Sequence, residues 1–150
     1  MRKIHTILFL IFLLITACSG IYSENKKIPN MHWELQNVLT FNAAIPEAKA
    51  YKVTIQLRHT SHIQLGNIAL KLTVTPENQS DKPQTQNILI PIRDNATGEL
   101  LGEAMGDICD TDFTTNYTFK EKGKYTLSLQ HLLEDDKAES IMEVGIKISE

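Results

Sequence analysis

Tyr51-Lys52-Val53-Thr54-Ile55-Gln56-Leu57-Arg58 alternates apolar and polar side chains without a break. Successive side chains of an extended chain point to opposite faces, so a period of two reads as a strand with one face buried and one in water. Ile68, Leu70, Leu72 and Val74 repeat the design, and Pro76 ends it. Tyr125, Leu127, Leu129 and His131 give a third copy, and Met142, Val144, Ile146 and Ile148 a fourth. Shorter candidates are Trp33 to Thr40, Ile88 to Ile92, Leu100 to Met105 and Tyr117 to Phe119.

Turn formers separate these runs: Pro46-Glu47, Asn78 to Pro83, Asn95 to Gly98 and Lys122-Gly123-Lys124. Asn95-Ala96-Thr97-Gly98 is read as a reversal in which Gly98 takes positive φ, pairing 88–92 with 100–105 as a hairpin. No helical stripe runs even ten residues after the N-terminal segment. The pattern predicts an all-β chain: residues 31–150 as a single antiparallel β-sandwich of about seven or eight strands, jelly-roll or immunoglobulin-like. About 120 residues bury enough surface to stand without disulfides or metal.

Upstream, Arg2 and Lys3 precede nine apolar residues, Ile7 to Ile15, then Thr16, Ala17 and Cys18. A basic head, a short apolar run and small residues before a cut make an export signal over 1–17. A membrane-spanning helix needs about 17 to 25 apolar residues, so nine are too few. Ile15-Thr16-Ala17-Cys18 also looks like a lipobox, which makes Cys18 the first mature residue and the lipidation site, carrying diacylglycerol and a further acyl chain such as palmitate. Two or three chains anchor durably where one is marginal. Residues 18–30, polar and aperiodic with Pro29, read as a flexible tether. An Asp after the cysteine would retain a lipoprotein at the inner membrane. Ser19 stands there instead, favouring the outer membrane, and the lack of adjacent acidic residues favours its periplasmic face.

Cleavage leaves 13 basic residues against 18 acidic, a formal charge of −5. That balance favours neither nucleic acid nor anionic lipid heads. With Cys18 acylated, Cys109 is the remaining thiol, so no internal disulfide forms, and no motif around it marks a nucleophile. His59 and His62 are placed in a loop after the first strand. Asp107, Asp110 and Asp112 around Cys109 have neither the spacing nor the glycine of a calcium loop and read as a solvated loop. Glu134-Asp135-Asp136 reads as a polar connection, and Trp33 as core more than as a ligand platform. Gly145, on the polar face of the last strand, marks an edge-strand bulge or else a close approach by another backbone or a partner. No nucleophile elbow, phosphate loop or triad context is present. The reading is of a non-enzyme with no catalytic residue, cofactor or metal.

Asn67-Ile68-Ala69-Leu70 leading to Pro76, then 94–107 (DNATGELLGEAMGD), Gly123-Lys124-Tyr125 and Glu143-Val144-Gly145-Ile146-Lys147-Ile148 follow one another in an order and spacing that resemble the gliding motility lipoprotein GldH family. Arg58 and Gln130-His131 fit as well. The pattern departs at Leu100, at 62–64 and at Leu133. The resemblance implies a cell-envelope lipoprotein accessory to gliding motility and type IX secretion. Its expected partners are envelope proteins, other Gld-type lipoproteins or secretion-motor components, with the membrane contacted through the lipid. The alternative is a small-ligand or glycan-binding lipoprotein using Trp33, Tyr51 or Tyr117 as a platform.

Overall fold

The computed structural model describes residues 20–78 and 82–150; the signal segment 1–17 and Cys18 lie outside them. Eleven strands follow in chain order: β1 (Tyr22–Lys27), β2 (His32–Glu34), β3 (Leu39–Ile45), β4 (Ala50–Thr60), β5 (Asn67–Pro76), β6 (Gln84–Pro91), β7 (Glu103–Met105), β8 (Ile108–Thr118), β9 (Gly123–His131), β10 (Lys137–Glu139) and β11 (Ile141–Ser149). The one helical piece among the described residues is a 3-10 turn at Pro29–Met31.

One sheet runs β1-β11-β4-β8-β7 and the other β3-β9-β5-β6, while β10 and β2 pair separately. Setting aside the three-residue strands β2, β7 and β10, the eight long ones stand in the orders first-eighth-third-sixth and second-seventh-fourth-fifth. That is the jelly-roll order and excludes the immunoglobulin one. The alternation in β4 does what its pattern dictates: Tyr51, Val53, Ile55 and Leu57 are buried, and Ile68, Leu70, Leu72 and Val74 of β5 face them from the other sheet's contribution to one core.

Five expectations are corrected. The tether expected over 18–30 contains β1, which pairs with β11 from Tyr22↔Ile148 to Lys27↔Glu143. Its inward positions are polar, Tyr22, Glu24 and Lys26, which is why no apolar period shows. At the sandwich rim they satisfy one another. Tyr22 donates to Glu24 Oε2 at 2.5 Å, Lys26 Nζ lies 2.8 Å from Glu24 Oε1, and the same ammonium sits 5.4 Å from the Phe41 ring centroid. Those bonds hold the Glu24 carboxyl below its ordinary range, the Lys26 contact first; burial and the same carboxylate push the Tyr22 phenol up.

Second, the acidic cluster around Cys109 is largely strand. Asp110 and Asp112 point outward from β8 and Cys109 inward. Third, His59 is not in a loop: it lies on β4, fully buried, with Nδ1 donating to the Thr60 carbonyl at 2.9 Å and Nε2 3.1 Å from Thr111 Oγ1. Fourth, the hairpin expected between 88–92 and 100–105 shrinks to a single bridge, Arg93↔Leu100, because the chain there passes from one sheet to the other. Its turn is as read: Gly98 takes φ +72, and Asp94 Oδ1 accepts from the Ala96 and Thr97 amides at 2.8 Å, holding that carboxyl below its usual range. Gly145 is in an interior strand, so the edge-bulge reading fails. Asn25 of β1 lies across it, and a Cβ there would fall 1.7 Å from Asn25 Oδ1.

Candidate interaction surfaces

Side chains read as candidate ligand platforms are mostly in the core. Trp33 is fully buried, its Nε1 donating to the Asn37 carbonyl at 2.8 Å and its ring edge-on to His131. Tyr51 is buried against Phe119. Tyr117 is half-buried; it packs on Phe119 at 4.7 Å and donates to Gln84 Oε1 at 3.1 Å. The three therefore present no shared exposed aromatic surface.

Cys109 is buried, its Sγ 3.5 Å from the Leu101 carbonyl. His62 is exposed and separated from His59 by burial. No group of three His, Cys, Asp or Glu side chains is placed to hold a metal among the described residues.

On the outer face of the five-stranded sheet the strands bring charges into one row: Glu143 of β11, Arg58 of β4, Asp110 of β8 and Glu103 of β7. Arg58 donates from Nε and Nη2 to both Asp110 oxygens at 2.8 Å, and its Nη1 lies 3.7 Å from Glu143. The two parallel bonds match the planar guanidinium to the carboxylate. Arg58 holds the Asp110 carboxyl well below its ordinary range. The pair is half-exposed, so water screens it and its contribution to stability is small. It closes the floor of an open depression of about 400 Å³.

The edge of the same sheet is less protected. β7 covers β8 over Ile108–Asp110 and stops. A two-residue turn joins them, with Gly106 at φ +65 in its first position, as a type II′ reversal requires. Such a turn makes Met105 and Ile108 a hydrogen-bonded pair. The backbone groups of Ile108 and Asp110 therefore face β7, and by alternation those of Asp112, Thr114 and Asn116 face the same way, with no strand beside them among the described residues. The part of β8 beyond β7, Asp112 to Thr118, is about 23 Å long at 3.3 Å per residue. It holds one charge, Asp112, followed by Phe113-Thr114-Thr115-Asn116-Tyr117-Thr118.

Proteins usually guard such edges with Lys, Pro or bulges. β1, at the opposite side of the sandwich, carries Glu24, Lys26 and Lys27. On the β8 side the residues from Phe113 to Thr118 carry no charge, with Lys120 beyond their end, and the edge strand of the other sheet there, β6, starts with the exposed and uncharged Gln84-Thr85-Gln86-Asn87. Between β6 and β8 opens a space of about 410 Å³ floored by Leu72 and Val74. Sequence reasoning missed this edge because Thr and Asn at β8 gave no apolar period.

A family model described as GldH lipoprotein matches residues 20–148. The gliding motility lipoprotein GldH of Flavobacterium johnsoniae is 23% identical over 154 residues, spanning 96% of this chain and 94% of that protein. Among solved structures, a family GH115 4-O-methyl-α-glucuronidase shares the fold at TM-score 0.53 with 8% identity, over 88% of this chain and 18% of that one. The globular domain of zebrafish complement 1qA protein superposes at TM-score 0.46, with 10% identity, over 87% of this chain and 96% of that one. A match covering nearly all described strands, in the order and spacing of the pieces noted in the sequence, makes this chain a member of the GldH lipoprotein family.

Proposed function

We propose that this chain is a non-enzymatic, lipid-anchored envelope module that serves gliding motility, and with it type IX secretion, by holding other envelope proteins. The observation that carries the reading is the edge of β8 beyond β7, which holds a single charge, Asp112, and has no strand beside it among the described residues, above the uncharged start of β6. An extended segment of a partner adds to such an edge through main-chain hydrogen bonds and gains specificity from the alternate pockets beside it. Family membership supports the place in motility, and the edge supports the means.

The anchor in this proposal is Cys18, at the outer membrane's periplasmic face. Ile21 already donates to the Ile148 carbonyl at 2.8 Å, and β1 starts at Tyr22. About three residues then separate the acylated cysteine from the fold, a reach of about 10 Å at 3.3 to 3.6 Å each. The sandwich would sit with its Gly20 end against the bilayer and its strands carrying the rest of the body away from it.

The test is crosslinked pull-down of the tagged full chain from envelope fractions. The expected result is specific recovery of motility or secretion-motor proteins, other Gld-type lipoproteins among them. Retention of a glycan with no specific protein would overturn the reading in favour of a ligand-binding lipoprotein.

A further inference from the structure

Both ends of the jelly roll are made of loops, yet they differ in chemistry. At the end away from Gly20 lie segments 28–38, 61–66, 92–107 and 132–140, tied together by backbone bonds. Ile28 donates to the Met142 carbonyl, Thr60 to Ser140, Ser61 to Asp107, Leu35 to Asp136, Leu132 to Ala69 and Arg93 to Gly66, all between 2.7 and 3.0 Å. These four segments carry nine carboxylates against two basic residues, Arg93 and Lys137. The described loop residues at the Gly20 end, 46–49, 77–78, 82–83 and 119–122, carry three carboxylates and four lysines. The distal end alone exceeds the formal charge of the whole mature chain.

The same end gathers exposed apolar side chains: Met31 at 43%, Val38 at 44%, Met105 at 75% and Leu132 at 39%. Among the described residues, the non-glycine ones with positive φ are also here, Asn30, Met31 and Ser140 at +54, +57 and +70. Strained backbone persists where the surrounding structure enforces it, and it clusters at functional sites.

Within this end runs a groove of about 640 Å³, the largest of the hollows described above. One wall is the turn between β4 and β5, with His62, Gln64 and Leu65; the other is the connection from β9 through β10, with Leu133, Asp135, Asp136 and Ala138. Leu65, Leu133 and Ala138 give it apolar walls, the two leucines being half-buried and Ala138 fully so. Its one lysine, Lys137, is engaged by Glu139 at 3.2 Å. Asp135 and Asp136 are exposed and form no ion pair among the described residues.

We infer that this groove docks a basic segment of a partner protein, one that sets an apolar side chain between Leu65 and Leu133 and lysines or arginines against Asp135 and Asp136. Charge complementarity selects the occupant: an anionic bilayer or a second acidic pole of this chain would be repelled, whereas a cationic segment is steered in. The inference rests on the protein-contact reading above and adds a second surface, distinct from the β8 edge. In the end-on arrangement the groove faces away from the membrane.

The experiment places a photo-crosslinking amino acid at Gln64 in the full chain in its native cells, with Lys122 at the opposite end as control. Crosslinked peptides are identified by mass spectrometry. The expected product joins Gln64 to a partner segment of net positive charge, with Lys122 giving none of it. Asp135→Lys with Asp136→Lys should reduce the yield at least about tenfold, since like charges then face each other across the contact. Both positions are exposed, and an unchanged melting temperature shows that the variant folds. Adducts to lipid, to a second copy, to an acidic segment, or none at all would overturn the inference. If adducts form at Asn116 on the β8 edge but not at Gln64, the groove reading alone fails.

Discussion

Replacing Trp33 by Ala distinguishes a core tryptophan from a ligand platform. Trp33 is fully buried, its ring centroid 5.5 Å from that of His131 at 74°, and its Nε1 bound to the Asn37 carbonyl at 2.8 Å. Large aromatic to alanine changes in a core cost about 3 to 5 kcal/mol, the spread depending on how far the site collapses. The hydrogen bond raises the figure rather than lowers it, because the Asn37 carbonyl loses its partner. A domain of this size has about 5 to 15 kcal/mol in total, so Trp33→Ala removes a large fraction. At about 3 to 5 °C per kcal/mol, the melting temperature should fall by about 10 to 20 °C. Thermal unfolding followed by near-UV circular dichroism reads this directly. A fall under about 3 °C, accompanied by loss of binding to a soluble glycan, would refute the burial argument.

Three further outcomes follow from particular contacts. At Gly102 φ is +108 and a Cβ would fall 2.3 Å from the Asp110 carbonyl oxygen, so Gly102→Ala should cost at least about 2 kcal/mol in urea unfolding; a neutral result would contradict the geometry. His131 is buried, its Nε2 without a hydrogen bond among the described residues, and burial pushes its pKa below 6.5, opposed by the Trp33 backbone and the Glu34 charge. The unfolded chain therefore binds the proton more readily, and stability should fall as pH drops below about 6.5, ahead of the acid loss from Asp110, Glu24 and Asp94. His131→Gln should flatten that part of the melting-temperature profile, and an unchanged slope would show that another group titrates. Cys18→Ala should abolish fatty-acid labelling of the chain; normal labelling of that variant would remove the anchor from the proposal.

The parts of the fold legible in the sequence were those where burial is one-sided and apolar. β4, β5, β9 and β11 each bury their alternate residues, and Val, Ile and Leu at every second position leave no other reading. β1 and β8 were hidden for one physical reason. Strands near a sandwich rim need only partial burial, so Glu24 and Lys26 in one and Thr111 and Thr115 in the other occupy inward positions that elsewhere demand apolar side chains. Backbone pairing, to which any sequence contributes, holds them in place. His59 was misplaced because a buried histidine is invisible in a polar count: Thr60 and Thr111 supply its partners, and only the fold brings Thr111 near. The same holds for the candidate surfaces. Glu134-Asp135-Asp136 read as a plain connection, since its meeting with Leu65 depends on two loops 70 residues apart in the chain coming to one end of the sandwich.

The claim that the chain works by strand pairing at β8 is tested most directly at Thr114, whose amide faces the open side and whose hydroxyl meets that of Thr54 at 2.8 Å on the exposed face. Thr114→Pro removes that donor from the edge while leaving the β4 ladder, which uses the alternate residues, intact. Thr114→Lys, which adds an edge charge, serves as the second variant should proline disturb folding. Quantitative mass spectrometry of crosslinked envelope pull-downs should show partner recovery reduced at least about tenfold in the folded variant relative to the parent chain. Undiminished recovery of the same partners from both variants would contradict the account.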